Sequence, residues 1–353
     1  MADAATVTGR VERLAEGLEE PLLVTNLVNV RYLTGFVSTN AALLVEPGGG
    51  ARLYSDFRYA QQARRLPEAI AFEEVPRNLL AGLAQRLSGT VGFEAASLAY
   101  AGWETLRGGG LDLVPRHGLV ERLRAVKDEG ELDAIRASTA ITNRAFARLA
   151  EERFSGRTER DLAWTMERFL RDEGGDAAAF PVIVAGGPTG SSPHTEPGER
   201  EVQPGDAVVV DAGARLDGYQ SDCTRTYVVG GLEGKLAEAY DVCLRAQLEA
   251  LEAVRAGARG QDADAVPRAI IDATEFQGLF GHGLGHGLGL DVHEAPTMRP
   301  ESEDVLEEGN VVSVEPGIYL PGEGGIRIED LVIVREGGVE ILTDFPKEPT
   351  VVQ

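Results

Sequence analysis

The chain has 353 residues, with 34 Lys and Arg against 57 Asp and Glu, and a formal net charge of −23. That length suggests about two domains, and the charge repels phosphate backbones and anionic lipid, which excludes nucleic acid and membrane surfaces as natural partners. A hydrophobic share of 43% beside 26% charged residues suits a soluble globular protein, not a disordered acidic one. Cys223 and Cys243 are too few for a disulfide framework and suit a reducing compartment. The opening segment MADAATVTGRVERLAEG holds no apolar signal core. The longest apolar runs (PLLV, ALLV, FPVIVA, AVVV) fall far short of the ~20 residues that span a bilayer, so a cytoplasmic protein is expected.

Up to about residue 125, short apolar runs alternate with helical patches. PLLVTNLVNV, AALLVEP, ARLYSD and TVGFE have strand composition, and Gly48, Gly49 and Gly50 form a hairpin-turn signal. YAQQARRL and RNLLAGLAQRL carry helical spacing between them. This alternation predicts a small α/β domain. From Val126 the pattern changes. KDEGELDAIRASTAITNRAFARLAEE is a long amphipathic helix signal, and a second helix is expected over 158–172, where Thr158 and Asp161 resemble a capping box. A third helix covers GKLAEAYDVCLRAQLEALEAVRAG and is closed by Gly257, with a shorter one after Gly260. The segments VVVDAG, GYQSDCTRTYVV, NVVSVEP, GIRIEDLVIV and GVEIL interleave as strands. The domain boundary is expected between 122 and 123.

Three of the five histidines, His282, His286 and His293, fall in one glycine-rich segment, GHGLGHGLGLDVHEAP; the others are His117 and His194. The alternating glycines disfavour a helix, so His282 and His286 are expected on one face of an extended segment, with a turn needed to bring His293 back to them. Carboxylates stand at the ends of apolar strands, where an unpaired charge would be costly. Asp211 ends AVVVD, Glu315 ends VVSVE, Glu329 lies in GIRIED, and Asp222 lies in GYQSDCTRT. Alternation puts Arg327 and Glu329 on one face, and Asp222, Thr224 and Thr226 on one face of another strand. Inward carboxylates beside a histidine cluster favour a metal over ion pairing. Four carboxylates and one imidazole suit Mn²⁺, Co²⁺, Fe²⁺ or Zn²⁺, and so many anionic ligands favour two ions over one. Cys223, pointing away from Asp222, is expected to pack and not to ligate.

The ordered set VVVDAGARLDGYQSDCTRT, HGLGHGLGLDVHE, SVEPGIY and GIRIED resembles the pita-bread metallopeptidases of the M24 type. Within them it is most similar to the Xaa-Pro dipeptidase (prolidase) and aminopeptidase P group. NVRYLTGF and YSDFRYA resemble that group's amino-terminal domain, and RAVKDEGELDAIR its interdomain junction. The resemblance implies an α+β protein: a creatinase-type α/β domain over residues 1–122 and a catalytic pita-bread domain over 123–353. It implies that Asp211 binds one metal, that Asp222 and Glu329 bridge two, and that His286 and Glu315 complete the second. The ions would be two divalent metals, manganese ahead of cobalt, zinc or iron.

The reaction implied is hydrolysis of the peptide bond before proline in small peptides. Glu315 would shuttle the proton and His293 would donate to the oxygen of the tetrahedral intermediate. His194 and His282 would line the proline side of the cleft, Arg327 would brace Glu329, and Thr226 would steady Asp222. Tyr319 corresponds to a tyrosine near the site in relatives, and equally to a core tyrosine. Arg31, Arg58 and Arg299 could meet a substrate carboxylate, although the solvated surface is the ordinary place for each. The resemblance further implies a homodimer. Aminopeptidase P, acting on longer Xaa-Pro peptides, is the alternative enzyme. The intact five-ligand set opposes a creatinase-like amidinohydrolase and a non-catalytic peptide- or protein-binding module on the same fold.

Overall fold

The computed structural model describes residues 4–353, and its backbone divides between Arg124 and Ala125 into two units. The first unit holds a six-stranded mixed sheet. In spatial order its strands are Ile70–Glu74, Ala51–Ser55, Ala41–Val45, Leu22–Val24, Thr90–Glu94 and Asp112–Arg116. The glycine turn joins Ala41–Val45 to Ala51–Ser55 as an antiparallel hairpin, with Gly49 at a φ of 86°. The strand expected across PLLVTNLVNV is shorter than its composition suggests. It stops at Val24, and Asn26 caps a helix over Leu27–Thr34 by accepting from the Val28 N–H. Asn26 thus converts an apolar run into a strand–helix corner. Gly35, at a φ of 69°, ends that helix.

The second unit sets its sheets between helices. Its long first helix, Glu129–Leu149, begins with a reciprocal capping box in which the Glu131 N–H donates to the Asp128 carboxylate at 2.9 Å and the Asp128 N–H to the Glu131 carboxylate at 3.1 Å. Thr158 caps Glu159–Asp172 in one direction only, accepting from the Asp161 N–H at 3.1 Å. Phe146, Leu149, Phe169 and Leu170 from these two helices are buried against Val208, Val210 and Tyr227 of the strands Ala207–Asp211 and Thr224–Val229. On the other side, Gly234–Ala253 and Gly260–Asp272 bury Tyr240, Cys243 and Ile271 against Ile318, Ile326 and Ile328. The former helix ends at Ala253, ahead of Gly257. No helix among the described residues is long and apolar enough to cross a membrane.

A four-stranded sheet in the order Thr350–Val352, Thr224–Val229, Ala207–Asp211, Ile183–Gly186 brings Asp211 opposite Thr224. A five-stranded sheet in the order Glu294–Met298, Gly285–Gly287, Val311–Val314, Asp330–Arg335, Gly338–Ile341 brings Val314 opposite Asp330. Gly213 is required where the chain leaves Ala207–Asp211, because a Cβ there would strike the carbonyl of Ser221. Replacing Asp128 by Ala removes a cap from Glu129–Leu149 and is expected to cost about 1 kcal/mol, seen as a fall of about 2–4 °C in the thermal midpoint. An unchanged midpoint would show that the box does not stabilise the fold.

Candidate metal centre

The sheet ends described above converge. Asp211 closes its strand, Asp222 lies two residues before Thr224, Glu315 directly follows Val311–Val314, and Glu329 directly precedes Asp330–Arg335. One carboxylate oxygen from each of Asp211, Asp222 and Glu329 lies within 4.8 Å of the others. His286, on the short strand Gly285–Gly287, brings its Nε2 to 3.4 Å from Glu315 Oε1 and 3.9 Å from Asp222 Oδ2. Gly285 lets that strand sit close to Val311–Val314, since a Cβ there would strike the Ser313 carbonyl. The five proposed ligands therefore meet at one place.

Hydrogen bonds set which atoms face that place. The Nδ1 of His286 lies 3.0 Å from the Gly287 carbonyl, which can only accept, so Nδ1 carries the proton and the Nε2 lone pair points at carboxylate oxygens. Lone pair against carboxylate is repulsive unless a cation stands between them. Asp211 Oδ1, Asp222 Oδ1 and Glu329 Oε1 are buried and accept no hydrogen bond. Unpaired anionic oxygens removed from water are costly, and the donor set fits divalent cations of the kind bound by carboxylate and imidazole.

The titration behaviour of the groups agrees. Burial pushes Asp222 and Glu329 well above the usual carboxylate range, and the neighbouring carboxylates push them further. Burial raises Glu315 as well, opposed by His282 and Arg327. Burial lowers His282, His286 and His293, favouring neutral rings.

Arg327 makes no direct hydrogen bond to Glu329; its charge acts on that carboxylate, and Thr224 links the two. Arg327 NH2 donates to Asp211 Oδ2 at 2.7 Å, its Nε to Thr224 Oγ1 at 3.1 Å, and its NH1 to the Tyr319 hydroxyl at 3.0 Å. Thr224, not Thr226, holds a proposed ligand: its hydroxyl donates to Glu329 Oε2 at 2.8 Å. Thr226 instead exchanges hydrogen bonds with the Arg327 backbone. Strand alternation placed these groups on the right faces but could not say which neighbours would meet. Ser313 was not foreseen; its hydroxyl accepts from the His286 N–H and donates to Glu315 Oε1, both at 3.1 Å. Its spacing two residues before Glu315 on an apolar strand was the available signal. Cys223 is buried in the core, away from the ligand face.

The cluster opens into a cavity of about 620 Å³ with an apolar side that includes Phe180, Pro181, Val182 and Val292. His194, His282, His293, Arg299 and Arg327 line it with the cluster, and the ring of His293 lies 4.3 Å from that of His286. His282 has neither ring nitrogen available. Nδ1 donates to the Gly283 carbonyl at 2.8 Å and Nε2 accepts from the Tyr319 hydroxyl at 2.9 Å. Tyr319, 7% exposed, stands behind the cavity wall with its pKa pushed up by burial to about 12. Arg31 and Arg58 lie in the first unit, where Arg58 is paired with Asp56 at 2.7 Å. Arg299 has no side-chain hydrogen bond or ion pair among the described residues.

Sequence comparison decides the lineage. The profile of metallopeptidase family M24 matches residues 133–336, and that of the creatinase/prolidase N-terminal domain matches residues 10–126. The chain belongs to metallopeptidase family M24. It is 32% identical over 350 residues to a Pyrococcus furiosus protein named Xaa-Pro dipeptidase, covering 96% of this chain and 99% of that one. Among solved structures, an Xaa-Pro dipeptidase from Bacillus anthracis superposes with a TM-score of 0.94 at 34% identity, covering 98% and 100% of the two chains. An X-Pro aminopeptidase from Thermotoga maritima superposes with a TM-score of 0.86 at 32% identity, covering 94% and 97%. The architecture of this M24 chain is thus a creatinase-type N-terminal domain followed by a pita-bread metallopeptidase domain.

The raised carboxylates fix a sign for stability. Above the usual carboxylate range the unfolded chain has released protons that Asp222, Glu329 and Glu315 still hold in the metal-free native state. The native state then binds more protons, so its stability falls as pH rises. The lowered histidines act in the opposite sense below their ordinary range, so the comparison is made above it: chelator-stripped protein is expected to melt lower at pH 8 than at pH 7, and added Mn²⁺ to raise the midpoint more at pH 8, because ligands must be deprotonated to bind. A stripped protein that gains stability toward pH 8 would contradict this electrostatic account.

Proposed function

We propose that this M24 enzyme is an Xaa-Pro dipeptidase, with residues 123–353 as the catalytic domain and 1–122 as the N-terminal domain. The observation that carries the reading is the meeting of Asp211, Asp222, His286, Glu315 and Glu329 at one end of an apolar-walled cavity, with three carboxylate oxygens lacking any proton donor. Those five residues would hold two divalent ions, manganese ahead of cobalt, zinc or iron. When bound, such ions supply an acidified water and polarise a carbonyl.

The chain's own groups supply the remainder. The Glu315 carboxylate takes the proton of the attacking water and delivers it to the departing prolyl nitrogen. His293, kept neutral by burial, donates a ring N–H to the carbonyl oxygen as charge develops there. The apolar wall of Phe180, Pro181 and Val182 accepts the proline ring and, with His194, excludes water. His282 spends both ring nitrogens on Gly283 and Tyr319 and so orients Tyr319 and Arg327 in place of exchanging a proton with substrate.

Arg299 distinguishes a dipeptide from a longer substrate. A dipeptide places a free carboxylate near a cluster of four acidic side chains, so it needs a cation at the cavity wall. Arg327 is committed to Asp211, Thr224 and Tyr319, and Arg299 is the uncommitted guanidinium on that wall. The reading also takes the enzyme as a cytoplasmic homodimer, supported on the first point by two buried free thiols.

The test is hydrolysis of an Xaa-Pro dipeptide beside the matching Xaa-Pro-Yaa tripeptide, with stripped enzyme and after adding Mn²⁺, Co²⁺ or Zn²⁺. Metal-restored cleavage confined to the dipeptide is expected. Preference for the tripeptide would make the enzyme an aminopeptidase P, and cleavage of neither would overturn the peptidase reading. Arg299→Ala should raise KM for the dipeptide by about tenfold or more while leaving the Xaa-Pro amide unchanged. Equal effects on both substrates would remove Arg299 from carboxylate recognition.

A further inference from the structure

Behind the carboxylates lies a second layer that is ionic although it is buried. Arg225 sits between Thr224 and Thr226 on Thr224–Val229, so alternation turns it away from the face that carries those threonines. It is 2% exposed, and every donor of its guanidinium is used. Nε donates to the carbonyls of Phe345 and Pro346 at 3.1 and 2.9 Å. NH1 donates to the carbonyl of Thr224 at 2.9 Å and to that of Glu329. NH2 donates to the Phe345 carbonyl at 2.7 Å and to Asp330 Oδ1 at 2.9 Å. Asp330 in turn accepts from Thr343 at 2.7 Å, Gln247 at 2.8 Å and Lys347 at 2.6 Å.

The consequence falls on Glu329. Its carbonyl is held by Arg225, its N–H donates to the Thr224 carbonyl at 3.1 Å, and its carboxylate is held by the Thr224 hydroxyl. The neighbouring residue Asp330 is locked by four side chains. A buried ion pair is a poor device for stability alone, because desolvation offsets most of the attraction, and packed apolar groups would serve as well. A planar fork that reaches four particular carbonyls and one carboxylate fixes geometry instead.

We propose that Arg225, Asp330 and Lys347 are positioning residues that set the placement of Glu329 and Thr224, and that the segment Thr343–Lys347 is thereby part of the metal centre's support although none of it lines the cavity. The inference rests on Glu329 being a metal ligand. Supporting contacts of this kind, when removed, cost about 10–100-fold in metal affinity.

Lys347→Met removes one partner of Asp330 at a side chain 18% exposed and leaves Arg225, Gln247 and Thr343 in place. Arg225→Lys keeps the charge but loses the fork. Leu149→Ala weakens the same unit's core with no hydrogen bond toward Glu329. Each would be compared with the wild type for Mn²⁺ affinity by competition with a chromophoric chelator, for the visible absorption of the Co²⁺-loaded protein, and for thermal midpoint. Lys347→Met is expected to weaken Mn²⁺ binding about tenfold and to shift the Co²⁺ band, whereas Leu149→Ala lowers the midpoint and leaves affinity and band unchanged. A Lys347→Met protein with wild-type affinity and spectrum would overturn the proposal, and if Arg225→Lys fails to fold, Lys347→Met decides alone. A wild type that binds no Mn²⁺ would instead defeat the ligand assignment on which the proposal rests.

Discussion

Mutual repulsion among Asp211, Asp222, Glu315 and Glu329 is the constraint around which the second unit is arranged. Two like charges 4 Å apart repel by about 4 kcal/mol at the effective dielectric of a protein interior near its surface. Here the carboxylates share one adjacent guanidinium, Arg327, which is engaged with Asp211. A chain could relieve this by moving the acids into water. Instead Asp211 closes a strand, Glu315 and Glu329 directly flank strands and Asp222 lies two residues ahead of one, where the backbone ladders resist displacement, and three carboxylate oxygens are left without a donor. The strain is tolerable in a protein whose resting form carries cations, and the family to which the chain belongs is one of metallopeptidases.

The supports of this cluster come from both flanking sheets. Arg327 joins Asp211 of one sheet to Thr224 beside it and to Tyr319 of the two-stranded hairpin. Ser313 joins His286 to Glu315 across the five-stranded sheet. The glycines flanking His286 permit the three strands there to approach closely enough for these contacts. Rigidity at the ligands thus comes from strand pairing and not from the loops that edge the cavity.

Most of this arrangement is legible in the amino-acid sequence. An acid closing an apolar strand has few bland explanations, and two such acids, Asp211 and Glu315, with Asp222, Glu329 and a glycine-spaced histidine segment have fewer. Alternation also placed Cys223 in the core, and the capping pattern placed Thr158 at the head of a helix, whereas the Asp128 cap emerges only in the structure. Local pattern failed where partners had to be chosen. Arg327 and Glu329 share a face by alternation, yet a long side chain reaches across to the neighbouring strand, so Asp211 receives the guanidinium and Thr224 is left to hold Glu329. It failed also at Leu27–Thr34, where β-branched residues suggested a strand and one asparagine cap decided for a helix. Local composition fixes faces and periods; cross-strand distance fixes partners.

The two hydroxyls beside the acids have a stereochemical consequence. A hydroxyl owns a single proton. Thr224 accepts from Arg327 and Ser313 accepts from the His286 backbone, so each must spend its proton on the neighbouring glutamate. That donation marks one oxygen of Glu329 and one of Glu315 as taken, and it makes the two oxygens of each carboxylate inequivalent. For Glu329 the marked oxygen is Oε2, and the one with no donor is Oε1. An alcohol side chain therefore selects which lone pairs of each acid remain available, a choice that an aliphatic residue of the same shape could not make.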